Sequence, residues 1–417
     1  MPKPRKENRL AFFLYYLLVA VLPLQIARHF PAYFSRIAGI NSDYLTPTLY
    51  FTDILVWFFI AAVAIFHPRL KFRIRNTLPA GLFFLWLLFS VFFVAINKEA
   101  AFYYLWKITE FTLLFRAITI IKPSFYKTVL FLSLPVVYSS LIVLLQFISQ
   151  RSLGGYFWYL GERSFYASTP GIAAVSFQGR LLLRPYATFP HPNVFGGFLA
   201  IVLPLMIFYL FKGQLQIIKD KKYFMAAVFC GIPALILSFS RSAWIVFAAG
   251  LAAVLLVAFK KIRWPQAKSA AVLFSLFFLL SLTLPFMVKS RNQSLGERRE
   301  LLQSFWHNFR DSPLTGAGLN NSILLQFKGT RVRDGLFLMQ PVHNIYLFTA
   351  GELGIVGFAG FIALLYFLYL KFRRQPSYRF IPFCLILLLG FFDHYPLTLQ
   401  QGQLLFVIFS AFALTTD

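Results

Sequence analysis

Acidic side chains are scarce in this sequence: 14 Asp and Glu among 417 residues, against 40 Lys and Arg. The long polar stretches contain no paired carboxylates at metal-ligand spacing, so metal-assisted chemistry is not expected. Cysteine is scarcer still. Cys230 and Cys384 both stand within apolar runs, where a thiol reads as a small core residue rather than half of a disulfide or metal pair. There is no Walker loop, GxGxxG, HExxH, CxxC pair or serine elbow, so no nucleotide, dinucleotide or redox cofactor is implied. No internal repeat emerges, which removes support for an inverted-repeat transporter.

What the chain has is apolar surface. Hydrophobic residues make up 59% and aromatics 19%, above the ~45–50% apolar content of soluble domains. Runs of about twenty residues with few charges match the length that crosses ~30 Å of hydrocarbon. Twelve such segments are read, near 10–29, 48–66, 79–96, 101–121, 128–149, 191–211, 223–240, 242–259, 269–288, 344–370, 380–393 and 401–415. The fold class expected is all-α, a single polytopic membrane domain over 1–417. The opening MPKPRKENR and its apolar run lack a small-x-small cleavage site and read as an uncleaved first helix.

The formal charge of +26 would point to nucleic acid in a soluble chain. Its placement argues otherwise. With a cytoplasmic N-terminus, the connections 1–9, 67–78, 122–127, 212–222, 260–268 and 371–379 lie inside and carry more than half of the basic residues. The short outer loops near 30–47, 97–100 and 394–400 hold only Arg36 and Lys98. Basic excess in short cytoplasmic loops sets orientation. Both termini are therefore expected inside, no nucleic-acid partner is expected, and two long segments, 150–190 and 289–343, face outward.

Charges within spans are costly and need a partner or a purpose. Lys107 and Glu110, three apart, can pair on one helix face, and Arg116 can snorkel. Glu352 in GELGIVG reads as a brace for the helix after His343. Arg241, in SFSRSAW, sits at a helix junction among Ser238, Ser240 and Ser242, a setting suited to an anion. In the second outer segment ERRELLQSFWHNF reads as an amphipathic helix with Leu301, Leu302, Phe305 and Phe309 buried and Arg298 in its first turn, followed by Arg299. Gly316 and Gly318 then give a tight exit. His343, followed by Asn344 in PVHNIYLF, is the best general-base candidate, because an imidazole titrates near neutrality. His29, His67 and His307 read as interfacial or loop histidines. RPYATFPHPNVFGG collects Arg184, His191 and Asn193 ahead of the sixth span, whose Gly196 and Gly197 allow close helix approach. FFDHYPLTLQQGQ places Asp393, His394, Gln400 and Gln401 at the last outer turn, where Asp393 and His394 are either an acid/base pair or an interfacial turn.

Four stretches, RPYATFPHPNVFGGFLAIVLPL, SFSRSAW, LGERRELLQSFWHNFRDSPLTGAGLNN and HNIYLFTAGELGIVGFAGF, occur in an order and spacing that resemble the O-antigen ligase and polymerase superfamily. The resemblance covers roughly 150–415, with an O-antigen ligase-like core over 184–370. It implies a GT-C-like membrane glycosyltransferase of about twelve spans, with a large helical extracytoplasmic loop before the tenth. Such a protein moves a glycan from an undecaprenyl-diphosphate carrier to an acceptor hydroxyl on the outer face of the bacterial cytoplasmic membrane, without a metal. By motif, His343 resembles the family's base, and Arg241 and Arg298 its diphosphate-binding arginines. Arg184 joins that diphosphate-binding set. Arg299, His191, Asn193, Asn344, Gly316, Gly318, His394 and Gln401 are further substrate-site candidates. His191 departs from the family pattern, which has Gly or Asn there. A displacement that expels a diphosphate needs cations where negative charge grows and one base on the nucleophile, and direct attack inverts the anomeric carbon. The acceptor is a lipid A core sugar, another repeat unit or a protein side chain, and the residues do not choose among them. The competing readings are a lipid-linked oligosaccharide flippase or transporter, which requires charges along a mid-membrane path, and a non-catalytic membrane scaffold.

Overall fold

A computed structural model describes residues 9–67, 78–169, 171–177, 180–211, 215–258, 293–329 and 339–415. The helices are α1 Arg9–Ala20, α2 Phe51–Phe66, α3 Leu78–Phe89, α4 Lys98–Ile121, α5 Phe125–Ser149, α6 Pro192–Phe211, α7 Leu215–Leu237, α8 Arg241–Ala258, α9 Gln293–Asp311, α10 Ser322–Gly329, α11 Ile345–Phe372, α12 Ser377–Leu389, α13 Tyr395–Thr398 and α14 Gln400–Ala411. Among the described residues α5, α6 and α11 are long and apolar enough to cross a membrane, and α1, α2, α3, α8 and α12 are shorter apolar helices. The expected segment 269–288 lies outside the described residues.

The all-α expectation needs a local correction. The first expected span runs to residue 29, but α1 stops at Ala20, and Ala27–His29 forms β1, antiparallel to β4 (Thr48–Tyr50). Pro23 explains the stop, since proline disfavours helical backbone in the residue before it and cannot donate an amide hydrogen. His29 Nδ1 and Thr48 Oγ1, 2.8 Å apart, fasten the ribbon. Between these strands, β2 (Arg36–Ile37) and β3 (Ile40–Asn41) form a small hairpin. The outer segment 150–190 contains another, β5 (Ala174–Phe177) with β6 (Arg180–Leu183).

The axis of the bundle is α6, where residues 194–206 are all buried. It packs closely because Gly196 and Gly197 have no side chains. A Cβ on Gly196 would meet Ser238 Oγ at 2.8 Å, and one on Gly197 would run into the Tyr395 hydroxyl. Between α2 and α4, Lys107 forms the expected pair with Glu110 at 2.9 Å and a shorter one with Asp53 of α2 at 2.7 Å, all three buried. Gln400 at the start of α14 donates to Thr52 and Asp53. The network ties α2, α4 and α14 together, and losing one member would leave an uncompensated buried charge.

A break in α11 seats the second outer segment. Gly354 has φ +66°, which interrupts the helix, and the carbonyls of Gly351 and Glu352 turn outward. They accept from Ala317 N and Gly318 N, both at 2.9 Å, while Ile355 N donates to Pro313 O at 2.8 Å. The Glu352 carboxylate accepts from the Asn321 and Ser322 amides and the Ser322 hydroxyl, and so caps α10 as the expected brace. Leu301 is also buried, and Leu302 and Phe305 of α9 pack on Val342, Leu347 and Phe348. One expectation fails here: α9 begins at Gln293, so Arg298 is in its second turn and does not oppose the helix dipole.

Gly316 (φ +70°) would place a Cβ 2.5 Å from Gly354 N, whereas Gly39 (φ +81°) opens onto free space. Gly316→Ala is expected to cost more than the ~1–3 kcal/mol of left-handed strain alone. Gly39→Ala is expected to cost only that strain. Thermal unfolding of the two variants in detergent checks this, and equal losses would refute the packing role.

Candidate active site

The N-terminal ends of α6 and α11 and the C-terminal end of α12 converge on one carboxylate. After Leu389 the chain turns, and Asp393 lies buried between α12 and α13. Its Oδ1 accepts from the His394 amide at 2.9 Å, and its Oδ2 accepts from Asn193 Nδ2 at 3.4 Å. Arg298 of α9 brings Nη2 to 3.9 Å from Oδ2, and His394 Nε2 lies 3.9 Å from Oδ1. Behind Asn193 stands Arg184, whose Nη2 donates to Asn193 Oδ1 at 2.6 Å and whose Nε donates to Ser238 O at 3.0 Å. Asn193 is thus a polar bridge between a cation and an anion. His191 Nδ1 accepts from the Asn193 amide at 3.1 Å.

His343 completes the cluster. Its ring stands edge-on to His394, with centroids 5.1 Å apart. It is half-buried, and its enclosed Nδ1 has no hydrogen-bond partner among the described residues. The backbone at this point is fixed by Asn344, which caps α11 through the Tyr346 and Leu347 amides and donates to Phe391 O at 3.2 Å. Asn344 therefore aligns the His343 turn with the Asp393 turn. His394 is set by Thr398, with Nδ1 to Oγ1 at 2.6 Å, and by Tyr44 packed edge-on at 5.5 Å.

Charge follows from this placement. Burial and then Arg298 pull His343 down to about 3, against the opposing pull of Asp393. His394 falls to about 4 for the same reasons. Burial pushes the Asp393 carboxyl up, but the attraction of His343, His394 and Arg298 outweighs it and holds the group below its ordinary value. Arg298 is one of the groups that hold this carboxylate below its ordinary value, with a guanidinium nitrogen 3.9 Å from it. Burial and the neighbouring Arg298 and Arg241 lower Arg184 to about 10, still protonated at neutral pH. His343, Asp393 and His394 also offer ligand-type atoms within 4.8 Å of one another. A divalent ion there would meet the guanidinium already facing Asp393, so the donor set fits a proton better than a second cation.

The structure thus brings together His343, Arg298, Arg184, Asn193, His191 and His394, with Arg241 at the exposed start of α8 near Arg184. Other expected site residues lie elsewhere. Arg299 points to the exposed side of α9. Gly316 and Gly318 are committed to the α11 break, with a Gly318 Cβ meeting Ala95 backbone. Gln401 is buried in a separate small cavity with Phe189, Tyr395 and Gly402. Sequence reasoning weighed Asp393 only as one half of a pair with His394, whereas it is the hub. Tyr44 and Thr398 were missed, and no sequence signal marks an aromatic or a hydroxyl that acts only by folding beside a histidine.

Residues 226–362, from within α7 to within α11, match the sequence model of the O-antigen ligase family. Over that stretch, about a third of the chain, the sequence is similar to O-antigen ligases, and the match supports a place in the O-antigen ligase and polymerase superfamily. That family is of membrane glycosyltransferase type. The matched stretch holds Arg241, Arg298, His343 and Glu352, while Arg184, Asn193, Asp393 and His394 reach the same place from outside it. Among curated proteins none matches the chain.

The lowered imidazoles have a sign-determined consequence. A histidine that is neutral when folded and titrates near 6.5 when unfolded binds more protons in the unfolded state, so stability is lost as pH falls below about 6.5. The loss continues until the folded values near 3 and 4 are reached. Thermal midpoints in detergent are expected to fall steadily from pH 7 to pH 4, and less steeply in His394→Asn. An equally steep fall in that variant would remove His394 from the account.

Proposed function

We propose that the chain transfers a glycan from an undecaprenyl-diphosphate carrier to an acceptor hydroxyl on the outer face of the bacterial cytoplasmic membrane, without a metal and with inversion. His343 takes the hydroxyl proton. Arg298, Arg241 and Arg184 hold the diphosphate. The arrangement that carries this reading is the gathering of one half-buried imidazole and three guanidiniums around the helix ends. Arginine gives bidentate, charge-assisted contacts to phosphate oxygens and stabilises the charge that grows on the leaving group. The N-termini of α6, α8 and α11 add their positive dipole ends. The twelve-span topology with both termini inside, drawn from the basic loops, would put these groups on the extracytoplasmic side. The buried Lys107 cluster gives little support to a transporter, because its charges are paired with one another instead of lining a path. Acceptor identity stays open among glycan, lipid and protein hydroxyls.

Purified protein given an undecaprenyl-diphosphate oligosaccharide and candidate acceptors in the presence of chelator is expected to turn over. His343→Ala is expected to lower kcat by ~10²–10⁴, and Arg298→Ala by ~10²–10³. Full activity in His343→Ala would remove it as the base, and loss of turnover with chelator would overturn the metal-free reading.

A further inference from the structure

Asp393 stands between two sets of claimants. On one side is Arg298, whose guanidinium is 3.9 Å away, beyond direct hydrogen-bond distance, and whose side chain is 29% exposed. On the other side are two imidazoles, His343 and His394, with the three groups within 4.8 Å of one another. The neighbouring cation Arg184 is held differently, by Ser238 O and Asn193 Oδ1 at 3.0 and 2.6 Å. Of these two cations facing the Asp393 side of the site, Arg298 is the one whose contact a bound anion would replace at least cost. A diphosphate offers it a direct, bidentate partner. Asp393 itself stays in place, because the His394 amide and Asn193 hold its two oxygens.

We propose that the donor arms the base: the diphosphate draws Arg298 away from Asp393, and the released carboxylate becomes the counter-ion of His343 and His394. This rests on the donor chemistry proposed above and makes Asp393 a positioning residue, one that acts through His343. In the step itself the acceptor oxygen bonds to the anomeric carbon as the carbon–oxygen bond to the diphosphate breaks. The bonding electrons leave with the undecaprenyl diphosphate, and the hydroxyl proton goes to His343. The resulting imidazolium faces Asp393. Before the donor arrives, the Arg298 charge disfavours that imidazolium, and this is the direction in which Arg298 acts on both histidines. The groups that face His343 are Asp393 and His394 from the α12–α13 turn, Arg298 from α9 and His191 ahead of α6. Tyr44 abuts His394, and Arg184 and Arg241 lie one shell further. Neutralising Arg298 is the change among them that a donor brings.

The test compares pH profiles. The profile of kcat/KM for donor reports the enzyme before donor binds, and that for acceptor at saturating donor reports the enzyme–donor complex. In the parent protein the acid limb of the second is expected at least about one pH unit above the first, the direction that releasing a carboxylate onto an imidazole gives. Asp393→Asn is expected to abolish the displacement and Asp393→Glu to keep part of it. A purely structural role for Asp393 would lower activity without removing the displacement. Coincident acid limbs in the parent, or an undiminished displacement in Asp393→Asn, would overturn the proposal. A second measurement needs no turnover: the pH dependence of His343 carbethoxylation by diethylpyrocarbonate, read by peptide mass spectrometry with and without undecaprenyl diphosphate. Its midpoint is expected to rise by about one unit or more with the carrier, and an unmoved midpoint overturns the coupling. Absence of glycan transfer by the parent protein would strike the proposed function, whereas the labelling result decides the coupling of Arg298, Asp393 and His343 by itself.

Discussion

A single buried carboxylate organises the outer end of this protein. Asp393 is enclosed, and an enclosed charge without compensation is among the most destabilising groups a fold can contain. Its compensation arrives from four directions: the amide of His394, Asn193 ahead of α6, Arg298 on α9, and Arg184 acting through Asn193. Arg298 and the Arg184–Asn193 pair come from segments far away in the chain, while His394 is the next residue. The need to satisfy one anion therefore brings the two long outer segments, the α6 entrance and the last outer turn to the same place. His343 reaches it through Asn344, which ties the start of α11 to Phe391, two residues before the carboxylate.

The supports are built from the same materials deeper in the bundle. Lys107, Asp53 and Glu110 form a second buried charge cluster, and Gln400 hangs from it. Tyr104 of α4 donates to Leu397 O, so α4 grips the α13 turn at two points, one of them through the ion cluster. Glu352 does the equivalent for the second outer segment by capping α10 from within α11. These interior charges are thus spent on holding loops near the site. Apolar packing alone, being non-directional, would leave those loops free to slide over the helix ends.

Much of this was legible in the sequence, for reasons of scale. Runs of apolar residues twenty long are a collective signal, and α5, α6 and α11 fall where that signal put them. The amphipathic stripe of α9, the Lys107–Glu110 pair and the brace at Glu352 were readable because helical spacing alone brings their partners onto one face, or because a charge in an apolar run requires one. The failures have the opposite character. The conversion of residues 27–29 and 48–50 into a ribbon turns on Pro23 and on pairing across twenty residues, and hydropathy is blind to pairing. The start of α9 lies before the stripe because an apolar stripe marks a helix's face, and its ends are less sharply defined. Arg184, His191 and Asn193 were noticed as one group ahead of the sixth span, and His394 as the neighbour of Asp393. Their common centre at Asp393 is a tertiary fact, and nothing in a one-dimensional string separates a carboxylate that ends a helix from one that collects distant segments.

The O-antigen ligase family match over residues 226–362 takes in only part of the site. That stretch supplies Arg241, Arg298 and His343, groups that meet the reacting atoms in the proposed chemistry. Outside it, Arg184 joins the arginines proposed to hold the diphosphate, while Asn193, Asp393 and His394 set charge and orientation around His343 and Arg298. Groups that touch a reacting centre tolerate little change, because displacement by about an ångström costs large factors in rate. Groups that act through charge have several solutions, since a carboxylate can be brought near an imidazole from more than one helix end. The two kinds of residue thus answer to different constraints, one on position and one on potential. In this protein the boundary between the two falls between His343 and Asp393, on facing sides of one small polar cluster.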